Sequence, residues 1–227
     1  MAQLAPMTDS DRARVSAAVS AAESRSAGEI VTIMAERSDD YADVALAWAA
    51  FVGLLALAAL TIAPEFYLGI YEKLSGGWVH EWTPRTIFSV ALLVFSLKFT
   101  GTWLLLLWRQ LRLWLTPRAL RNLRVRERAV NCFKVGAERR THGRTGILIY
   151  LSLAEHRAEI VADEAIASRV APEVWGDAMA AMLAELKQDR LADGLIAAVE
   201  RVGGVLAEHF PREENDVNEL PDRLIEV

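Results

Sequence analysis

The fold of this chain is indicated most clearly by two neighbouring apolar runs, Gly-Ile-Leu-Ile-Tyr-Leu-Ser at residues 146–152 and Ala-Glu-Ile-Val-Ala at residues 158–162. Continuous apolar runs of this length are typical of strands that are buried on both faces of a sheet. The residues between them, Ala-Glu-His-Arg at 154–157, are typical of a short polar turn. We therefore expect an antiparallel β-hairpin.

A third strand and several helices flank this hairpin. Residues 29–35, Glu-Ile-Val-Thr-Ile-Met-Ala, are rich in β-branched residues and predict a buried strand. Thr8 and Asp11 form a variant of the capping box ahead of a helix that we expect to end near Ser26. Apolar residues at helical spacing predict two further helices within residues 174–206. Because strands joined through a helix pair in parallel, the predicted fold class is α/β, a compact α/β/α sandwich with a small mixed sheet.

Two long apolar windows interrupt this α/β domain. Residues 44–63 carry no charge, and residues 86–108 carry only Lys98. About 20 helical residues span about 30 Å, which is the thickness of the hydrocarbon core of a bilayer. Aromatic residues cluster near the ends of both windows, which disfavours the alternative of two buried core helices. The windows therefore predict a transmembrane hairpin, in which Lys98 needs a polar partner or reaches the membrane surface.

Basic residues near the windows predict the orientation of the hairpin. Residues 109–144 contain eleven basic and two acidic residues, whereas the loop at residues 64–85 contains two basic and three acidic ones. Because basic segments stay in the cytoplasm, we expect the loop outside and both termini inside. The predicted location is the bacterial inner (plasma) membrane, with a multi-pass chain and both termini cytoplasmic.

The hairpin divides the sequence into four parts. Residues 1–43 supply the first helix and strand of the soluble domain, residues 44–108 form the hairpin, and residues 109–210 supply the remainder of the domain. The third part should begin with a helix that has an Arg-rich face and ends near Thr141. Residues 211–227 are acidic, and we expect them to form a mobile tail.

The uneven charge distribution limits the expected partners. Residues 145–227 carry seven basic and seventeen acidic residues, and the whole chain has a net charge of −5. Aromatic residues are not interleaved with the Arg-rich segment, so nucleic acid is not an expected partner. The basic segment instead suits anionic lipid headgroups. Cys132 is the single cysteine, so no intrachain disulfide can form.

The segment at residues 145–163, the run Ala-Gly-Glu-Ile-Val-Thr-Ile at residues 27–33 and Trp175 together resemble the TPM domain family, named for thylakoid-lumen, photosystem-repair and receptor-modulator members. The resemblance covers residues 8–36 and 118–210, with the hairpin as an insertion found in a bacterial membrane branch of the family. It implies a compact α/β/α domain. The resemblance also implies functions that some members of the family have: acid phosphatase activity or divalent-cation binding, often alongside assembly or repair of membrane complexes.

Two pairs of polar residues are candidates for chemistry. Asp163 and Glu164 fall where a strand ends and a helix begins, where carboxylates could bind Ca²⁺ or Mg²⁺. The alternative is that Asp163 caps the helix and Glu164 favours its dipole. Glu155 and His156 could act as acid and base, or could simply form the polar turn of the hairpin. Typical members of the family carry a Gly-rich turn where this chain has Ala-Asp-Glu at residues 162–164.

Two functions remain open at this point. The sequence has no P-loop, GxGxxG, HExxH, paired CxxC or GxSxG motif, so the common nucleotide, zinc and serine-hydrolase classes lack their signatures. We therefore predict a membrane-anchored binding, assembly or maintenance module for membrane protein complexes, with the lipid bilayer and another membrane protein as partners. The alternative is a divalent-cation-dependent acid phosphatase-like hydrolase. Its carboxylates, Asp163 and Glu164, would have to meet His156 in one cleft, together with a carboxylate such as Asp39 or Asp40.

Overall fold

A computed structural model of the chain describes residues 7–74, 76, 82–136, 145–171, 173–212 and 222–227. The chain forms two compact units: unit 1 contains Met1–Asp39 and Arg118–Val227, and unit 2 contains Asp40–Pro117. The strands are β1 (Glu29–Ala35), β2 (Gly146–Ser152), β3 (Arg157–Ala162) and β4 (Ile225–Glu226). The helices are α1 (Asp9–Glu23), α2 (Ala42–Ile62), α3 (Pro64–Leu74), α4 (Pro84–Leu105), α5 (Arg109–Leu115), α6 (Arg118–Gly136), α7 (Glu164–Ala167), α8 (Val174–Leu186) and α9 (Leu191–His209).

A four-stranded sheet with the order β3-β2-β1-β4 forms the centre of unit 1. β1 pairs in parallel with β2 along its whole length, from Glu29 opposite Gly146 to Ala35 opposite Ser152. β3 pairs antiparallel with β2. The predicted mixed sheet and antiparallel hairpin are therefore confirmed, and β1 and β2 coincide with two of the predicted apolar runs.

Helices cover both faces of this sheet. On one face, α1, α8 and α9 bury a core that includes Ile30 of β1 and Ile147 of β2. On the other face, Ala129 and Phe133 of α6 pack against residues such as Leu148. Successive side chains of a strand point to opposite faces, so a continuous apolar run supplies both cores at once. The predicted α/β/α sandwich is confirmed.

The structure confirms the predicted start of one helix, whereas the predicted end of another lies outside the described residues. The backbone N–H of Asp11 donates to the Thr8 hydroxyl at 3.1 Å, and the N–H of Thr8 donates to the Asp11 carboxylate at 3.2 Å, so the predicted capping box is confirmed. The predicted Arg-rich helix is α6, which follows the short helix α5. Its predicted end near Thr141 lies outside the described residues.

The prediction of a mobile tail over residues 211–227 is wrong for the last residues of the chain. β4 pairs in parallel with β1, and Leu224 joins the core of unit 1. The N–H of Val227 donates to the carbonyl of Met34 at 3.0 Å. β4 forms because the edge of β1 would otherwise carry unpaired backbone groups. The stretch at residues 213–221 lies outside the part of the chain that the structure describes.

Unit 2 is built on the two apolar windows. α2 and α4 are each long and apolar enough to cross a membrane, as judged by length and composition. Pro64 begins α3, as expected of a residue that cannot continue the preceding helix. Lys98 is exposed on α4, and it forms no ion pair with any residue within the described ranges.

Glu23 is a buried carboxyl group beside the first residues of β1. Its Oε1 accepts a hydrogen bond from the N–H of Ile30 at 2.7 Å. Burial, together with the nearby Glu29 and Asp222, raises the pKa of Glu23 to about 8, against the lowering effect of the Ile30 hydrogen bond. The Glu23 side chain is therefore largely protonated at neutral pH in the folded protein.

Replacing Glu23 with glutamine should remove a pH dependence from the stability of unit 1. The ordinary pKa of the carboxyl group is 4.5, so its stabilising contribution is fully present below that pH and is lost as the pH rises towards about 8. Glutamine keeps the acceptor for Ile30 and carries no charge. We expect Glu23→Gln to be more stable than the unmodified chain at pH 8 by on the order of 4 kcal/mol.

The difference in stability between Glu23→Gln and the unmodified chain can be measured between pH 5 and pH 8 by hydrogen exchange of the β1 peptide in the full chain. The exchange rates are corrected for the intrinsic effect of pH. Glu164→Gln, which changes an exposed carboxylate, is the matched control and should follow the unmodified chain. Parallel pH profiles for Glu23→Gln and the unmodified chain would show that Glu23 is ionised in the fold.

Candidate functional site

The carboxyl ends of β1 and β2 lie side by side because these strands are parallel. Ligands of open α/β sheets usually bind at such an edge. Ser38 follows β1 at this edge, while Ser152 ends β2 and leads into the turn at residues 153–156. This edge is therefore the candidate functional region of unit 1.

A buried network of hydrogen bonds joins the two strand ends. The N–H of Ser38 donates to both carboxylate oxygens of Glu155, at 3.2 and 3.3 Å, and the Ser152 hydroxyl donates to the same carboxylate. The Ser38 hydroxyl donates to the Ser152 hydroxyl at 3.0 Å and lies 3.1 Å from the Tyr150 hydroxyl. Glu155 is only 3% exposed. The predicted catalytic acid is thus an internal acceptor that fixes the turn.

The hydroxyl groups of this network have one consistent direction of donation. Tyr150 donates to Ser38, Ser38 donates to Ser152, and Ser152 donates to the carboxylate of Glu155. Burial raises the pKa of Tyr150, although the Ser38 hydrogen bond lowers it. The phenol therefore stays neutral and keeps its proton for donation. A chain of donors that ends on a carboxylate satisfies every buried hydroxyl of the network.

His156, the predicted base, lies on the solvent side of the same turn. It is exposed, and its φ of 52° places it in the left-handed region, which costs about 1–2 kcal/mol for a residue other than glycine. The neighbouring Glu155 network can hold the turn in this conformation. The ring Nδ1 lies 3.3 Å from the carbonyl oxygen of Ala154.

The β2–β3 turn and the end of α8 enclose a cleft of about 190 Å³. The cleft is lined by the apolar residues Leu151, Leu153, Leu183 and Leu186 and by the polar residues Ser152, His156, Arg157, Lys187 and Asp189. Lys187 and Arg157 form no ion pair with any of the residues described by the structure. The arrangement can therefore accept an apolar group that lies next to a negative charge.

Asp163 and Glu164, the predicted cation ligands, lie at the other end of the sheet. The Asp163 carboxylate accepts a hydrogen bond from the N–H of Gly146 at 3.0 Å, and the N–H of Asp163 donates to the carbonyl of Gly146 at 2.9 Å. The alternative prediction that the Asp163 side chain caps a helix is wrong, because it makes no capping bond to α7 and closes the β2–β3 pair instead. Glu164 is exposed in the first turn of α7.

β3 separates the two predicted pairs of site residues. His156 precedes this six-residue strand and Asp163 follows it, so they are about 20 Å apart. Asp39 lies near the His156 end and pairs with Arg124, with 3.2 Å between Oδ2 and Nε. Across the described ranges, no three His, Cys, Asp or Glu side chains come together as a metal site requires. The geometry therefore does not assemble the predicted cation site.

The hydroxyl network and the part of the cleft formed by α8 were not predicted from the sequence. Ser38 and Ser152 each follow an apolar run, and their places after two parallel strands could have brought them together. Glu155 looked like an ordinary turn residue because its partners lie far away in the sequence. Lys187 comes from the end of α8, and no local pattern indicates that this end lies against the β2–β3 turn.

Removing the carboxylate of Glu155 should destabilise unit 1. Glu155→Ala leaves the Ser38 N–H and the Ser152 hydroxyl without their buried acceptor, at a cost of about 1–3 kcal/mol. Glu164→Ala removes an exposed carboxylate and should change the stability by less than about 0.5 kcal/mol. Hydrogen exchange of the β2 peptide at increasing denaturant concentration measures both costs. Equal effects of the two substitutions would contradict the structural role of Glu155.

Comparison with known proteins shows what part of the chain is similar to. Residues 114–205 match the TPM domain model, which takes in α6, β2, β3, α7, α8 and most of α9. An NMR structure of the BA42 protein from the psychrophilic bacterium Bizionia argentinensis is similar in fold, with a TM-score of 0.57, 16% identity and 100% of each chain covered. No curated protein matches the sequence. Over residues 114–205, this chain is therefore similar to the TPM domain family.

Proposed function

We propose that this protein is a membrane-anchored TPM domain that binds membrane protein complexes and supports their assembly or maintenance. α2 and α4 form the anchor as a hairpin in a bacterial inner membrane. Unit 1 and both termini lie in the cytoplasm. The observation that carries the proposal is the exposure of two long apolar helices on a chain whose other unit has a complete core of its own.

The exposed surface of α2 and α4 supports the anchor. Only 22% of the most apolar window of α2 and 6% of that of α4 is buried. Large side chains such as Leu54, Phe88 and Leu97 are 60%, 74% and 69% exposed. Leaving apolar surface in water costs about 25 cal/mol per Å², and soluble proteins rarely expose so much of it. Lipid removes this cost.

The contact between α2 and α4 also suits a membrane. A Cβ atom at Gly53 would lie 2.7 Å from the Phe95 ring, so the absence of a side chain allows the two helices to pack closely there. Small residues at such contacts are typical of helices that associate in lipid. Close packing matters there because apolar side chains gain no hydrophobic free energy by leaving one apolar environment for another. The pair therefore fits a membrane hairpin.

The proposed orientation follows from the arginines after α4. Seven of them lie between Arg109 and Arg128, whereas residues 64–85 on the other side of α4 carry two basic residues and three acidic ones. Moving the Arg-rich segment outward would oppose the positive-inside bias. Most of this segment belongs to α6 of unit 1, so unit 1 stays in the cytoplasm with it.

The cleft beside His156 supports a binding role for unit 1. Its leucines offer apolar contact, and Arg157 and Lys187 supply positive charge without an ion-pair partner among the described residues. The phosphatase-like alternative has less support, because Asp163 lies across β3 from His156 and its carboxylate already accepts a hydrogen bond from Gly146. The geometry thus favours recognition over hydrolysis.

Site-specific photo-crosslinking in growing cells tests the binding role. A crosslinker at Lys187 lies in the cleft, and one at Arg201, an exposed residue of α9 that does not line the cleft, is the matched control. We expect an adduct with one membrane protein from position 187 only. A charge placed among the leucines by Leu183→Asp should abolish it, because the partner's apolar group loses its contact.

Two results would contradict this proposal. Adducts of equal yield from positions 187 and 201 would show that the cleft does not select a partner. Hydrolysis of a phosphoester by the purified full chain with Mg²⁺, Mn²⁺ or Ca²⁺, abolished by Asp163→Asn, would favour the phosphatase-like alternative instead.

A further inference from the structure

The short helix α5 follows the second apolar helix within unit 2, in a stretch, residues 106–117, that contains no acidic residue. α4 ends at Leu105, and a turn follows in which the N–H of Trp108 donates to the carbonyl of Leu105 at 3.2 Å. At the other end of α5, the N–H and hydroxyl of Thr116 donate to carbonyls of the last helical turn at 3.2 and 2.8 Å. Backbone groups at both ends thus have partners, as a segment next to hydrocarbon requires.

The basic side chains and most of the apolar side chains of α5 fall on different sides of the helix. Arg109 and Arg112 are three residues apart and share one side. Leu111 and Trp114 fall on the opposite side with Leu115 at its edge, whereas Leu113 lies beside Arg109. This separation is typical of a helix that lies in the plane of a membrane surface, with its apolar side towards the acyl chains.

Unit 2 leaves the ends of this segment uncovered. Trp108 is 64% exposed and Trp114 is 74% exposed. Neither Arg109 nor Arg112 forms an ion pair with any residue that the structure describes. Two exposed indole rings are unfavourable in water, and two guanidinium groups are unfavourable in hydrocarbon. The headgroup layer of a bilayer suits both kinds of side chain.

We propose that α5, together with Trp108, lies at the membrane surface and binds anionic phospholipid headgroups, which rests on the proposed membrane anchor. A guanidinium group binds two phosphate oxygens at once, and a zwitterionic headgroup adds a positively charged ammonium group that Arg109 and Arg112 would repel. The segment has no carboxylate of its own to compete for these arginines. Residues 64–85, at the other end of α4, carry more acidic than basic residues, so the lipid preference belongs to one leaflet.

Electron paramagnetic resonance of spin-labelled lipids tests this inference. The full chain is reconstituted in vesicles of phosphatidylcholine and phosphatidylglycerol, and the association of each labelled lipid with the protein is compared. We expect phosphatidylglycerol to associate more strongly. The double substitution Arg109→Gln and Arg112→Gln should lower that preference by up to about fivefold per arginine, and high salt should lower it in the unmodified chain.

The double substitution Lys73→Gln and Arg85→Gln is the matched control, because it removes the same charge from the other end of α4. It should leave the preference unchanged. Equal association of the two lipids, or an equal loss of the phosphatidylglycerol preference in the control, would overturn the inference. Flotation of the protein with the vesicles would show that the proposed anchor still holds in that case. Failure to float with vesicles after a high-salt wash would overturn the proposed anchor as well.

Discussion

The parallel pairing of β1 with β2 is the constraint on which the rest of the structure depends. These strands share a full register from Glu29 opposite Gly146 to Ala35 opposite Ser152, yet all of unit 2 lies between them in the chain. A parallel pair needs a crossover connection, and here that connection contains two long apolar helices. If α2 and α4 cross a membrane as proposed, this pairing requires the chain to return to the side from which it left. Two crossings allow that return, whereas a single crossing does not.

The same pairing explains why the polar residues at the ends of the sheet have structural roles. It brings Ser38 and Ser152 together, and their donors need an acceptor, which the Glu155 carboxylate supplies. At the opposite end, the Asp163 carboxylate accepts from Gly146, the first residue of β2. Carboxylates held in this way are unsuited to exchange ligands or protons with a substrate. The exposed cleft beside the turn is the surface to which we assign the proposed binding role.

The parts of the fold that the sequence predicts are those set by local patterns. Residues 29–35 and 146–152 are continuous apolar runs and become β1 and β2, and Thr8 caps α1 through a local hydrogen bond. The parts that escape prediction depend on distant contacts. β4 has two residues and forms only because β1 has a free edge. The burial of Glu155 likewise depends on Ser38, which is distant in sequence and adjacent only after β1 and β2 have paired.

We propose that α2 and α4 cross a bilayer as a hairpin between two halves of one α/β domain. Paired topology reporters in the full chain test it most directly: a fluorescent protein that folds only in the cytoplasm, fused after Val227, and alkaline phosphatase inserted in the loop at residues 64–85. We expect bright fluorescence at the C-terminus and active phosphatase in the loop. Bright fluorescence with inactive phosphatase would place both positions on one side of the membrane and contradict the hairpin.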